Sequence, residues 1–213
     1  MGMVSMKPML AAAREQRYGV GAFNIVDYNS ARAVVRVAEQ LRAPVIVQVS
    51  VKTVKFWGAQ AIAAWMRQLA GNSPVPVSLH LDHCKEIAVI RECMAAGWTD
   101  VMIDASHKPF DENLAITREV ATMTQTAGLG VEAELGEIGG VEEDKRVADA
   151  HLADPDKAVL FCQGLPLSAF APAIGTAHGI YKGEPKIDFD RLDAIARRTG
   201  LPIALHGGTG LSD

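Results

Sequence analysis

The sequence predicts an α/β fold built on parallel strands, and three patterns carry that reading. Short apolar, β-branched runs alternate with longer stretches of helical periodicity along the chain. Most of these runs are continuously apolar rather than alternating, as strands covered on both faces by helices are. Polar, reactive residues stand just after several different strand candidates, the arrangement of a TIM (β/α)8 barrel rather than of an open doubly wound sheet. No Gly-rich phosphate loop follows the first strand candidate, which weakens the dinucleotide-binding form of the open sheet.

The elements follow in order. A leading helix over Lys7–Gln16 precedes strand candidates at Gly19–Asn24, Val45–Val49, Val77–Leu81, Asp100–Asp104, Val131–Leu135, Phe170–Ile174 and Ile203–Leu205. Helix candidates lie between them at Ser30–Leu41, Ala59–Ala70, Lys85–Ala96, Asp111–Ala127, Pro155–Cys162 and Asp188–Arg198. Asp27 and Asn29 are good caps for the first of these, and Thr199-Gly200 with Pro202 beyond is a stop for the last. The stretch Gly136–Asp154, acidic and Gly-containing, reads as a long loop, either a lid or a solvated surface segment. Seven strands are counted. An eighth strand and closing helices, about 50 further residues to reach the usual ~250, are expected to be lacking, so residues 1–213 read as a single, C-terminally incomplete barrel domain.

Composition bounds the function. The chain is 49% hydrophobic and 22% charged, with net charge −4 and the two signs interspersed, which argues against nucleic acid or an anionic membrane as partner. No apolar run approaches the ~18 residues of a membrane span, and the N-terminus has neither a secretory apolar region nor the Ser or Thr that a myristoylation signal places where Met6 stands. Cys84, Cys93 and Cys162 form an odd set without a C-x-x-C pair, so a reducing cytoplasm is expected.

Three of the six histidines close three strand patterns: His83, His178 and His206. At the carboxyl ends of barrel strands such residues converge, and three imidazoles on a tetrahedral zinc leave one open position, as catalytic sites do. Taken singly, each reads more readily as an ordinary buried or loop histidine; it is the three together at matching strand ends that point to a site. Asp82, beside His83, suits an acid/base next to a metal ligand, or an N-cap for the helix starting near Lys85. Neighbouring strand residues point to opposite sides, so the two share a site only where the strand gives way to a loop. Asp104 and Glu134 would be costly inside a barrel unless paired or metal-bound; they either orient His83, supply an alternative metal position, or, for Asp104, cap a turn with Ser106. His206-Gly207-Gly208-Thr209-Gly210 and His178-Gly179-Ile180-Tyr181-Lys182 put glycines, a hydroxyl and a lysine beside two of the histidines, which suits a phosphate, although Gly-Gly by itself explains a turn.

These residues resemble those of the class II fructose-bisphosphate and tagatose-bisphosphate aldolases. The matching segments are Gly19-Val-Gly-Ala-Phe-Asn24, Leu81-Asp-His-Cys84, Val131-Glu-Ala-Glu-Leu-Gly136, Gly139-Gly-Val-Glu-Glu-Asp144, Gly175-Thr-Ala-His-Gly179 and His206-Gly-Gly-Thr-Gly210, in family order across almost the whole chain. The resemblance implies catalytic Zn2+ on His83, His178 and His206, with Asp104 and Glu134 at an alternative or second metal position. It implies Asp82 as acid/base at the ketose C4 hydroxyl and Glu142 as the base for the triose-phosphate proton, with Glu143 one alignment step away. Gly179, Gly207, Gly208 and Thr209 match positions for phosphate and a monovalent cation (Na+ or K+), and Ser50 and Lys182 are further substrate positions. The implied reaction is aldol cleavage of a ketose 1,6-bisphosphate to dihydroxyacetone phosphate and glyceraldehyde 3-phosphate, without a lysine Schiff base, in a homodimer or homotetramer. The Gly207-Gly208-Thr209 form leans towards fructose over tagatose bisphosphate. Family members carry an eighth strand with an Asn-x-x-Thr segment that is absent from these residues, so an aldolase-like subunit without activity is a second expectation. A metal-dependent barrel hydrolase is a third.

Overall fold

The computed structural model describes residues 2–142, 145–147, 151–179, 181 and 183–211, with the backbone alone described at 141, 142 and 145–147. Two compact units divide the chain: Met1–Ile103 with Val120–Glu132, and Asp104–Glu119 with Ala133–Asp213.

The first unit contains α1 (Met6–Gln16), β1 (Gly21–Asn24), α2 (Tyr28–Leu41), β2 (Val45–Ser50), α3 (Val51–Trp57), α4 (Ala59–Ala70), β3 (Val77–Cys84), α5 (Ile87–Ala95) and β4 (Asp100–Ile103). It also holds the later part of α6 (Phe110–Ala127) and the start of β5 (Gly130–Leu135). Its strands lie in the order β1-β2-β3-β4-β5, so sequence neighbours are spatial neighbours. The pairs from β1 to β4 are parallel: Gly21 to Asn24 align with Val45 to Gln48, and Val45 to Ser50 with Val77 to Asp82. Parallel strands need a crossover between them, and the intervening helices supply it. Val47, Val49, Leu79 and Leu81 are fully buried in β2 and β3, with Ile62 and Met66 of α4 also fully buried. Each such side chain stabilises the fold by about 1.5–3 kcal/mol relative to exposure.

Local chemistry sets the helix ends. Asp27 and Ser30 form a reciprocal capping box at the start of α2, and the Ser30 bonds hold the Asp27 carboxyl below its ordinary range. Ala31, Val35 and Ala38 then bury one face of that helix at helical spacing. The helix over Val51–Trp57 is one the sequence pattern leaves out, because its β-branched valines continue the run of β2; Ser50 ends the strand and caps the helix at once.

The second unit contains the start of α6 and the end of β5, then β6 (Gly139–Glu142), β7 (Lys145–Val147), α7 (Pro155–Cys162), β8 (Ala169–Pro172), β9 (Ala177–His178) and α8 (Phe189–Thr199). The end of β5 neighbours β8, and Ala173 N–H donates to Leu135 O at 3.0 Å. The expected strand Ile203–Leu205 reduces to one parallel bridge between Ile203 and Phe170, framed by Phe170 N–H to Pro202 O and Ala204 N–H to Phe170 O, both 2.9 Å. Gly136–Asp154 is not wholly irregular: β6 and β7 pair antiparallel inside it, and β6 also pairs in parallel with β9. Residues of such short strands carry too little periodicity to show in sequence.

In the first unit α1 is fastened to the amino ends of β3 and β4. The fully buried Asp100 carboxylate accepts from Ser5 Oγ (2.7 Å), Ser78 Oγ (2.6 Å) and the Met6 N–H (2.9 Å), while Val4 N–H donates to Val77 O (2.9 Å). Asp100→Ala strands these donors in the interior. It is expected to lower unfolding free energy by at least about 3 kcal/mol in urea titration, whereas a loss under about 1 kcal/mol would contradict this anchoring role.

Candidate metal and catalytic site

At the carboxyl end of β3 the strand does not give way to a loop before Asp82 and His83, as the sequence pattern implies. It bulges: Leu81 pairs with Val101 and Cys84 with Ile103, one extra residue on β3, and His83 takes a left-handed φ of 44°. The bulge breaks strand alternation, so Asp82 and His83 are no longer obliged to face opposite sides. The alternative of Asp82 as helix cap fails, because α5 starts at Ile87 with Glu86 at its N-cap.

Asp82 is 8% exposed and its carboxylate is oriented from two neighbouring strands. Asn24 Nδ2 donates to Oδ2 at 2.7 Å, and Gln48 Nε2 donates to Oδ1 at 3.2 Å. Both amide residues escaped the sequence reading, although each stands at or near the carboxyl end of a parallel strand, where polar side chains are informative. Ser50 accepts at Oγ from the Thr53 N–H (3.4 Å), so its place at the strand end is tied to capping α3. One layer deeper, buried His80 lies 3.5 Å from the buried Glu132 carboxylate. Cys84, Cys93 and Cys162 are free, buried thiols. Burial pushes Cys162 up to about 12 and, with Cys84 and Glu92 adding to it, raises Cys93 as well, which keeps both protonated.

The second unit holds the other residues. Asp104 and Glu134 are each 2% exposed and present carboxylate oxygens within 4.8 Å of one another. Asp104 Oδ1 accepts from Ser106 N (3.0 Å) and Oγ (2.6 Å), so the expected turn cap exists alongside the carboxylate pair. His178 and His206 stand with ring centroids 6.1 Å apart and planes at 87°, their ligand nitrogens within 4.8 Å. That donor pair suits a divalent ion of zinc's preference for imidazole.

Gly207 makes the approach of the two histidine segments possible: it has φ 67°, and a Cβ there would lie 2.6 Å from Ala177 O. At the separate β6–β9 pairing, Gly140 has φ 101° and leaves no room for a Cβ against His178 O. The parallel pairing of Gly140 with His178 puts the Glu142 backbone two residues further along the same strand. Gly179 has φ 85°, and Gly208 and Thr209 are exposed beside His206. The Glu142 side chain, Glu143 and Lys182 lie outside the described residues. Tyr181, passed over in the sequence, bonds to both histidine-bearing loops.

The family model for class II fructose-bisphosphate aldolase matches residues 4–213. The chain belongs to the class II fructose-bisphosphate aldolase family. It is 42% identical over 216 residues to the 6-phospho-5-dehydro-2-deoxy-D-gluconate aldolase of Halalkalibacterium halodurans, covering 100% of this chain and 75% of the relative. It is also 42% identical over 217 residues to the fructose-bisphosphate aldolase of Staphylococcus aureus, covering 99% and 75%. The crystal structure of the YdjI aldolase from Escherichia coli K12 superposes with a TM-score of 0.87 at 28% identity, over 99% of this chain and 75% of that one. The α/β barrel class and the lyase class expected from sequence both hold for this aldolase family member. No helix among the described residues is long and apolar enough to cross a membrane.

The tight loop contact yields a test. Gly207→Ala requires a side chain at positive φ against the Ala177 backbone, and the φ alone costs about 1–2 kcal/mol. Thermal unfolding of the variant should show a clear fall in Tm; an unchanged Tm would mean that the loops do not need this approach.

Proposed function

We propose that the protein is a zinc-dependent aldolase cleaving fructose 1,6-bisphosphate to dihydroxyacetone phosphate and glyceraldehyde 3-phosphate. The carrying observation is the buried Asp82 carboxylate, held on both oxygens by Asn24 and Gln48 beside the bulged His83. A general base must be fixed within reach of the proton it takes, and these two amides fix it.

In this reading His83, His178 and His206 hold the ion, supported by family membership and by the His178–His206 pair. Asp104 and Glu134 form an alternative metal position, supported by the proximity of their carboxylates. The bound ion supplies polarisation of the substrate carbonyl, so no Schiff base is required. Asp82 removes the C4 hydroxyl proton as the C3–C4 bond breaks and the aldehyde product departs. Glu142 exchanges the proton of the triose phosphate left behind; the backbone link from β6 to His178 keeps its segment close to that residue. Gly179, Lys182, Gly207, Gly208 and Thr209 receive phosphate and a monovalent cation (Na+ or K+), and Ser50 is a further substrate contact. The chain acts as part of a homo-oligomer in the cytoplasm, a setting consistent with three free thiols.

A second substrate reading has specific support: the Halalkalibacterium halodurans aldolase acting on 6-phospho-5-dehydro-2-deoxy-D-gluconate is as similar, at 42% identity, as the fructose-bisphosphate enzyme. Tagatose bisphosphate, differing from fructose bisphosphate at C4, is a third. Coupled assays of the metal-loaded chain on all three sugars separate these readings. Highest kcat/KM on fructose bisphosphate is expected; higher activity on either other sugar would reassign the substrate, and no product from any would favour a subunit without catalysis.

Asp82→Ala should leave zinc content unchanged and lower kcat by about 10²–10⁴-fold. A chelator should abolish cleavage and added zinc restore it. Activity that survives complete metal removal would contradict the mechanism.

A further inference from the structure

The phenol of Tyr181 touches both loops that carry the paired histidines. Its oxygen accepts from the Ala177 N–H at 2.9 Å and donates to the Gly207 carbonyl at 2.8 Å. Ala177 precedes His178 and Gly207 follows His206, so one atom bridges the immediate neighbours of both imidazoles. A hydroxyl can do this because it is donor and acceptor at once. The bridge closes a contact with no slack: a Cβ on Gly207 would meet the O, C and N of Ala177 at 2.6–2.9 Å, and the Tyr181 ring lies 3.8 Å from where a Cβ on Gly210 would stand.

The regular secondary structure around the two histidines is short. His178 ends a two-residue strand and His206 lies in a turn beyond the single bridge at Ile203. Metal ligands must hold their distances within about 0.2 Å to bind well. We infer that Tyr181 is a positioning residue for the metal, its hydroxyl setting the distance and angle between the His178 and His206 imidazoles. In this role it acts through the backbone on either side of the pair. The inference rests on the reading of His178 and His206 as metal ligands.

Tyr181→Phe keeps the ring and removes the bridge. Zinc affinity of the full chain, measured by competition with a chromogenic chelator, should weaken by about 10–100-fold, the usual effect of losing a group that orients a metal ligand. The metal-free variant should keep the far-ultraviolet circular dichroism of the parent. The visible absorption of the Co2+-loaded form should also change in position or intensity, because it reports ligand geometry whatever the stability of the variant. Zinc affinity within twofold of the parent together with an unchanged Co2+ spectrum would overturn the inference. His178→Ala and His206→Ala serve as references and should each weaken zinc more than Tyr181→Phe does. If they bind zinc as the parent does, the metal reading fails and this inference with it; if they lose zinc while Tyr181→Phe does not, only the inference fails.

Discussion

Parallel pairing in strict sequence order gives the first unit two chemically different ends. Because β1, β2 and β3 run the same way in matched register, Asn24, Gln48, Ser50 and Asp82 all come near the carboxyl ends of their strands. The amino ends of β3 and β4 are occupied by the N-terminal segment, tied down through Asp100. The Asp82 carboxylate, the proposed acid/base, therefore stands at the end that the anchoring contacts leave alone. Side chains presented from rigid strands hold their positions better than those on loops, and Asp82 gains further from amides on two neighbouring strands.

The bulge at His83 solves a geometric conflict. A regular strand would send Asp82 and His83 to opposite faces, so the proposed acid/base and the proposed ligand could not be consecutive within it. One extra residue and a left-handed φ of 44° at His83 remove that obligation while the strand continues to Cys84. A left-handed non-glycine residue carries strain, which persists where surrounding structure holds it. In the second unit the conflict is different: two loops must approach until backbone meets backbone. Glycine at 207 permits the approach, and the Tyr181 hydroxyl bonds across the gap.

Long, strongly periodic elements were legible in the sequence. Ala59–Ala70 and Pro155–Cys162 agree with the expected helices residue for residue, the latter because Asp154 and Pro155 mark its start and burial of Ala158, Phe161 and Cys162 its inner face. The histidines, Asp82 and the glycine-rich turns were legible because strand ends can be read from apolar runs. Partnerships across strands were not. That Asn24 and Gln48 serve Asp82 depends on register, which the local pattern of one strand does not encode. The pairing of Gly140 with His178 and the reach of Tyr181 depend on tertiary approach, and β6, β7 and β9 are only four, three and two residues long. Fold and family thus came from periodicity and motif, while the orientation of the reactive groups came from contacts between distant residues.

X-ray absorption at the zinc edge of the metal-loaded chain tests the central claim most directly. The account predicts three imidazole nitrogens at about 2.0–2.1 Å and an exchangeable oxygen ligand. A sulfur shell at about 2.3 Å, or a first shell of oxygen alone without imidazole scattering, would contradict it.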